Sequence, residues 1–205
     1  MFNKTLIALS VASISSIIPL KAEDKGVYFF GSAGLGSIND IDYAANLGGG
    51  KAEFDYGFSP ELGIGYDFGK IRTDFSYSLI NSDTSKVRGV EINNDENKIK
   101  TFYLSAAYDF RADKKWQPYV GIGLGKSEVE NTVTSEGAKI KVSKDGLTSV
   151  KVKLGVNYAA SDNFDVFGEI YRATTEDISQ TIEGVTYTLS DLSVNGVSLG
   201  LRYKL

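Results

Sequence analysis

From residue 52 to 68 the chain alternates without a break. Ala52, Phe54, Tyr56, Phe58, Pro60, Leu62, Ile64, Tyr66 and Phe68 hold one parity; Glu53, Asp55, Gly57, Ser59, Glu61, Gly63, Gly65 and Asp67 hold the other. A period of two puts these sets on opposite faces of a strand. The run also outlasts the roughly five or six residues usual for a strand in a soluble domain. The same signature recurs over 71–79, 101–110, 120–125, 150–158, 164–170 and 197–205. Val27, Phe29, Ala33 and Leu35 open the set less cleanly, because Tyr28 and Phe30 sit on the opposite parity. The pattern predicts about eight strands.

The connections alternate in length. Residues 69–70, 111–115 and 160–162 are short and polar; 38–51, 81–97, 130–146 and 174–192 are long and rich in Asn, Asp, Ser, Thr and Glu. Short turns at one end and long loops at the other is the asymmetry of outer-membrane barrels, whose turns are periplasmic. Turn positions also suggest registers. Centring the first hairpin between Gly69 and Lys70 sets Asp67 opposite Arg72 and Glu61 opposite Ser78. Centring the third on Ser161 sets Lys153 opposite Glu169 and Lys151 opposite Tyr171.

The two faces decide between water and lipid. The apolar parity carries the large rings, and the polar parity carries glycine, serine and a few charges. A small barrel has little interior room, so the second set fits inside. An outward face of Phe, Tyr, Leu and Val fits hydrocarbon. Tyr66, Phe68, Tyr108, Phe110, Trp116, Tyr158, Phe164 and Tyr203 lie beside the short turns or the C-terminus, where an aromatic girdle belongs. A soluble lipocalin-like carrier would invert this parity.

Composition narrows the chemistry. Lys4 precedes an apolar segment from Leu6 to Leu20, which reads as a secretory signal cleaved after Ala22. Residues 1–22 are thus expected to be a signal peptide and 23–205 the barrel domain. Removing the signal takes Lys4 and Lys21 and deepens the net charge of −4. That balance disfavours nucleic acid as a partner. There is no Cys and no His, so thiol nucleophiles, disulfides, Ser-His-Asp triads and His- or Cys-based zinc sites are excluded.

On these features the chain resembles the small eight-stranded outer-membrane barrels of the OmpA- and OmpX-like group, which includes opacity-type surface proteins. The carriers are the hairpin at Gly69-Lys70, the segment Trp116-Gln117-Pro118-Tyr119-Val120-Gly121, and the alternating C-terminal strand. That strand resembles the signal read by the barrel-assembly machinery, with Leu205 where the group most often ends in Phe. The resemblance implies an all-β fold, a closed antiparallel eight-stranded transmembrane barrel in the outer membrane. The barrel enzymes of this size, lipid A deacylases and palmitoyl transferases, rely on a catalytic His that this chain lacks.

Charges on the inward parity must be paired or wet at membrane depth. Glu61, Lys151, Lys153 and Glu169 are expected to form an interior network, with Arg202 nearer the periplasm. A polar plug is the preferred reading of this network, and a gate for small solutes the alternative. Glu61 and Glu169 as glycosidase carboxylates would lack a substrate cleft and would be held ionised by the lysines. The run Asn93-Asn94-Asp95-Glu96-Asn97 lacks the glycine turn of a calcium loop. Lys100, Lys126 and Arg172 share the outward parity at the far strand ends, where lipopolysaccharide phosphates are available. The expected protein is therefore a monomeric, non-enzymatic barrel without metal or cofactor. Its expected partners are outer-membrane lipid, lipopolysaccharide, the assembly machinery and a host or environmental surface ligand. Its role would be surface interaction or envelope structure through four long loops; a narrow channel is the alternative.

Overall fold

The computed structural model describes residues 25–39, 41–45, 50–87, 90–91, 96–110, 112, 114–135, 138–182, 185–189 and 192–205. The expected signal peptide and Asn93 to Asp95 lie outside them. Every assigned segment is a strand: β1 (Gly26–Ile38), β2 (Ile41–Ala45), β3 (Gly50–Phe54), β4 (Tyr56–Phe58), β5 (Glu61–Asp67), β6 (Ile71–Val87), β7 (Val90–Glu91), β8 (Glu96–Asp109), β9 (Trp116–Ser135), β10 (Ala138–Ala159), β11 (Phe164–Thr175), β12 (Ile178–Ile182), β13 (Val185–Leu189) and β14 (Ser193–Lys204).

Eight of these positions close a ring. The antiparallel order runs β1, β5, β6, β8, β9, β10, β11, β14 and back to β1. The closing seam pairs the first strand with the last, from Tyr28 opposite Lys204 to Ile38 opposite Val194. Segments β4 and β5 are one strand interrupted at Pro60, which has no N–H to give the ladder. The register survives the interruption: Glu61 faces Ser32 and Gly57 faces Gly36. Closure leaves no open edge, so every backbone donor in the ring can be met inside the sheet.

Outward side chains confirm which face meets hydrocarbon. Leu62, Leu104, Leu154, Ile170 and Leu199 are all exposed, as are Phe75, Phe102 and Ile122. A belt of this size is an interaction surface rather than scattered exposure. The aromatics beside the turns meet in pairs: Tyr66 with Phe68, Tyr108 with Phe110, Trp116 with Tyr158 and Phe164 with Tyr203.

Two expectations are corrected. The third short hairpin is centred one residue later, on Asp162, because Ala159 pairs with Asp165. Lys153 therefore faces Tyr171 rather than Glu169, and Lys151 faces Ala173 rather than Tyr171. A one-residue shift of the turn centre moves each partner by two and preserves parity, so the faces stay right while the pairs change. The first hairpin has the expected register, Asp67 opposite Arg72 and Glu61 opposite Ser78. There Gly69 adopts φ 101° and donates to Asp67 Oδ1 at 2.7 Å.

The second correction concerns the long connections, which are largely strand. Segments β9 and β10, 20 and 22 residues long, continue pairing up to Ser135 opposite Ala138. At about 3.3 Å per residue and a tilt near 40°, strands of this length span roughly twice the ~25 Å apolar band. The alternation Ala138, Ile140 and Val142 against Lys139, Lys141 and Ser143 belongs to this extension, where Asn, Ser, Thr and Lys dilute the apolar signal that marks the lower strands.

Candidate functional site in the barrel lumen

The inward parity supplies the site. Its glycines do not leave the lumen empty. A Cβ on Gly155 would lie 2.3 Å from the Tyr119 ring, on Gly65 2.4 Å from Tyr28, and on Gly63 2.4 Å from Phe30. Gly196 and Gly200 stand in the same relation to Tyr171 and Phe167. Each ring reaches over a glycine on a neighbouring strand, filling space that the missing side chain provides. Tyr28 and Phe30, which disturb the sequence pattern at the start of β1, are thus lumen residues.

Charges sit between the rings in layers. At the short-turn end Arg72 pairs with Asp109 at 2.7 Å, its guanidinium 4.8 Å from the Tyr119 ring centroid. Arg202 reaches Asp165 at 3.4 Å and Asn157 at 3.0 Å, between the rings of Tyr28 and Phe167. Lys204 joins Asp165 at 3.2 Å. One layer deeper, Tyr119 donates to Glu169 Oε2 at 2.7 Å, and Lys153 lies 3.8 Å from Asp74. Above them Lys151 forms a buried ion pair with Glu61, which also accepts from Ser76 at 2.7 Å. The Lys151 ammonium stands 4.7 Å from the Tyr171 ring centroid and 5.2 Å from that of Tyr103.

The expected residues are therefore all inside, with a different wiring. Glu61 and Lys151 meet directly. Lys153 approaches Asp74, Glu169 is held by Tyr119 and Ser198, and Arg202 belongs to the layer near the short turns. Sequence reasoning missed Arg72, Asp74, Asp109 and Asp165 as members. Parity alone could have flagged all four. The pairs Arg72–Asp109 and Asp165–Arg202 depend on β6–β8 and β11–β14 registers that long connections do not reveal, and Asp74 meets Lys153 of β10 across the lumen.

Two further layers close the far end. Thr101, Ser127, Ser149 and Thr175 form a chain of hydroxyl contacts at 2.6, 2.6 and 2.8 Å across β8 to β11. Over it lies an apolar cluster of Ile38, Ile80, Ile99, Leu147, Leu192 and Val194. Below this lid, the void lined by residues including Tyr28, Phe30, Arg72, Asp74 and Glu169 measures about 10 Å³. That is room for about one water.

The three outward basic residues separate. Lys100 and Lys126 line one surface groove with Tyr77, Phe102 and Glu128, whereas Arg172 lies two strands away on β11 and contacts Ser193 at 3.4 Å.

Comparison with known proteins agrees with this architecture. The chain is 30% identical to an opacity protein, opA56, of Neisseria gonorrhoeae over 37% of this chain and 41% of that protein. It is 31% identical to the opacity-related protein POPM3 of Neisseria meningitidis serogroup C over 36% of this chain and 55% of that one. The chain thus spans about half the length of the curated relatives it matches. Among solved structures, neisserial surface protein A aligns with TM-score 0.58 and 21% identity, covering 89% of this chain and 100% of its own. The outer membrane protein OprG of Pseudomonas aeruginosa aligns with TM-score 0.58 and 14% identity, covering 89% and 98%. Residues 5–204 match the family described as the outer membrane protein beta-barrel domain. The chain belongs to that family and resides in the cell outer membrane.

Proposed function

We propose that this barrel is a closed, non-enzymatic scaffold whose long hairpins make contacts at the cell surface. The observation that carries the reading is the filled lumen: among the described residues, the void between the charged layers and the apolar cluster measures about 10 Å³. Charges inside are committed to partners within the wall, which suits a plug better than a path for ions. The hairpins β2–β3, β9–β10 and β12–β13 instead extend from the other end of the wall. Similarity to opacity proteins supports a surface role without naming a ligand.

Planar-bilayer recording on the refolded chain tests the scaffold against the narrow channel. The expected trace is the baseline conductance of the lipid alone. Steady unitary steps that disappear when Lys151 or Arg202 is changed would establish the channel instead. Binding of the purified barrel to host-cell or abiotic surfaces, with hairpins shortened one at a time, addresses the contact role. Equal binding by every shortened variant and by an unrelated barrel counts against it.

A further inference from the structure

A groove of about 510 Å³ opens on the outer wall across β6, β8, β9 and β10. Its floor is apolar, formed by Tyr77 and Phe102, whose rings lie 4.9 Å apart. Its upper rim carries Lys100, Lys126 and Glu128, and Gly146 closes the side. The rim is a built feature of β10. A bulge falls between Lys144 and Leu147, and Gly146 there takes φ 72°. Bulges re-aim the groups beside them, and here the Gly146 carbonyl accepts from Lys126 Nζ at 3.0 Å while Thr148 Oγ1 lies at 3.1 Å. The lysine is thereby held over the groove by neutral oxygens.

Depth identifies the setting. Ten residues separate Lys126 from Trp116, and ten separate Lys100 from Phe110 of the aromatic girdle. A tilted strand crosses the apolar band in about 9–11 residues. The floor of the groove thus lies in hydrocarbon and its rim at the head groups of the far leaflet. With short turns facing the periplasm, that leaflet is the outer one.

We propose that this groove binds a molecule of lipopolysaccharide, with an acyl chain on Tyr77 and Phe102 and a lipid A phosphate on Lys126. Charge complementarity selects the phosphate. The Lys126 ammonium gives charge-assisted hydrogen bonds, and its present partners carry no net charge. Lys100 contributes less, because Glu130 holds it at 2.7 Å and Glu128 lies 3.5 Å away. Glu128 opposes the anion and sets the affinity from the other side. Arg172 has no part. The inference rests on the outer-membrane location and is independent of whether the lumen conducts.

The test titrates purified lipid A into the barrel in neutral maltoside micelles and reads the thermal midpoint, each variant being compared with itself without lipid. Wild type is expected to rise with lipid A and to stay unchanged with inorganic phosphate or a phosphate-free glycolipid. Lys126→Gln should weaken the apparent affinity roughly tenfold or more, the scale of one charged hydrogen bond. Lys126→Arg should largely restore it, and Arg172→Gln should keep it. Glu128→Gln should tighten binding severalfold, a gain that no folding defect can imitate. Equal losses in Lys126→Gln and Arg172→Gln would overturn the site in favour of diffuse surface charge. A rise with inorganic phosphate equal to that with lipid A would overturn the lipid.

Discussion

Lys151 shows how a cation is held at membrane depth. Its ammonium is covered on two sides by the rings of Tyr171 and Tyr103 and meets Glu61 directly. The carboxylate has a second donor in Ser76. Removing one partner leaves the other buried and alone, which is the costly state. Lys151→Met should therefore destabilise the barrel by about 3–5 kcal/mol, and adding Glu61→Gln should recover most of the loss. Urea unfolding of the refolded barrel in micelles measures the cycle. Additive losses would show that the two side chains do not interact.

At the level of the strand, each position is constrained by the face it occupies. Leu62 is 68% exposed to the surroundings of the outer wall, and Leu62→Asp places a charge in hydrocarbon at a cost of up to about 2–4 kcal/mol. Its neighbour Gly63 points inward under Phe30, and a Cβ there would also lie 2.7 Å from the Phe75 carbonyl oxygen. Although polar residues suit the lumen, Gly63→Ser should cost about 1–3 kcal/mol by overpacking. Refolding yields into lipid vesicles check both. Tolerance of the leucine change would argue that this face does not meet lipid.

The extended part of the wall obeys different rules, because water reaches it. Glu130, four residues beyond Lys126 on β9, accepts from Lys100 at 2.7 Å and lies 2.8 Å from Lys141 on β10. Hydrogen bonds from Lys100, then from Lys141, lower its carboxyl from 4.5 to about 2. A depressed carboxyl pKa adds stability above the unfolded value near 4.5, and that contribution is lost as pH falls through about 2. The thermal midpoint of wild type should exceed that of Glu130→Gln at pH 6. The gap should narrow below pH 4.5 and close near pH 2. High salt should shrink it, since the lysines are partly exposed. A gap independent of pH would remove the carboxylate as its cause.

For the whole molecule, closure is the decisive event. The seam joins β1 to β14 across nearly the full length of the described chain, and Phe29, Gly31 and Ser32 face Tyr203, Leu201 and Gly200. Only that pairing removes both edges, and in lipid an unpaired edge is expensive. Deleting residues 201–205 should therefore abolish assembly into vesicles rather than merely lower stability. Heat-modifiable mobility on a denaturing gel reports this, because a closed barrel migrates faster than the open chain. A truncated chain that still shows the fast form would mean that β1 and β11 can seal the wall without the end of β14.

Alternation along the strands was enough to determine the all-β class, the outward faces and the girdle. Tyr66, Phe102, Leu154 and Leu201 each lie on the side their parity assigns, because a period of two permits only two faces. The inward set was equally legible as a set, and Glu61, Lys151, Lys153, Glu169 and Arg202 are all buried. Who meets whom was decided by tertiary structure. A turn centre displaced by one residue sets Lys153 opposite Tyr171 rather than Glu169, its ion-pair partner Asp74 comes from β6 across the lumen, and the pairing of Arg72 with Asp109 awaits a register that a long connection hides. The same holds for glycine. In sequence Gly63, Gly65 and Gly155 read only as small residues that suit a narrow interior; which ring, from the neighbouring strand, occupies each place was decided by register. The strand extensions stayed hidden because their buried positions are polar, Ser82, Thr84, Asn97 and Glu130 among them, so burial there leaves no apolar period in the sequence. What remained for the fold to settle was contact between residues far apart in the chain, which a local period cannot encode.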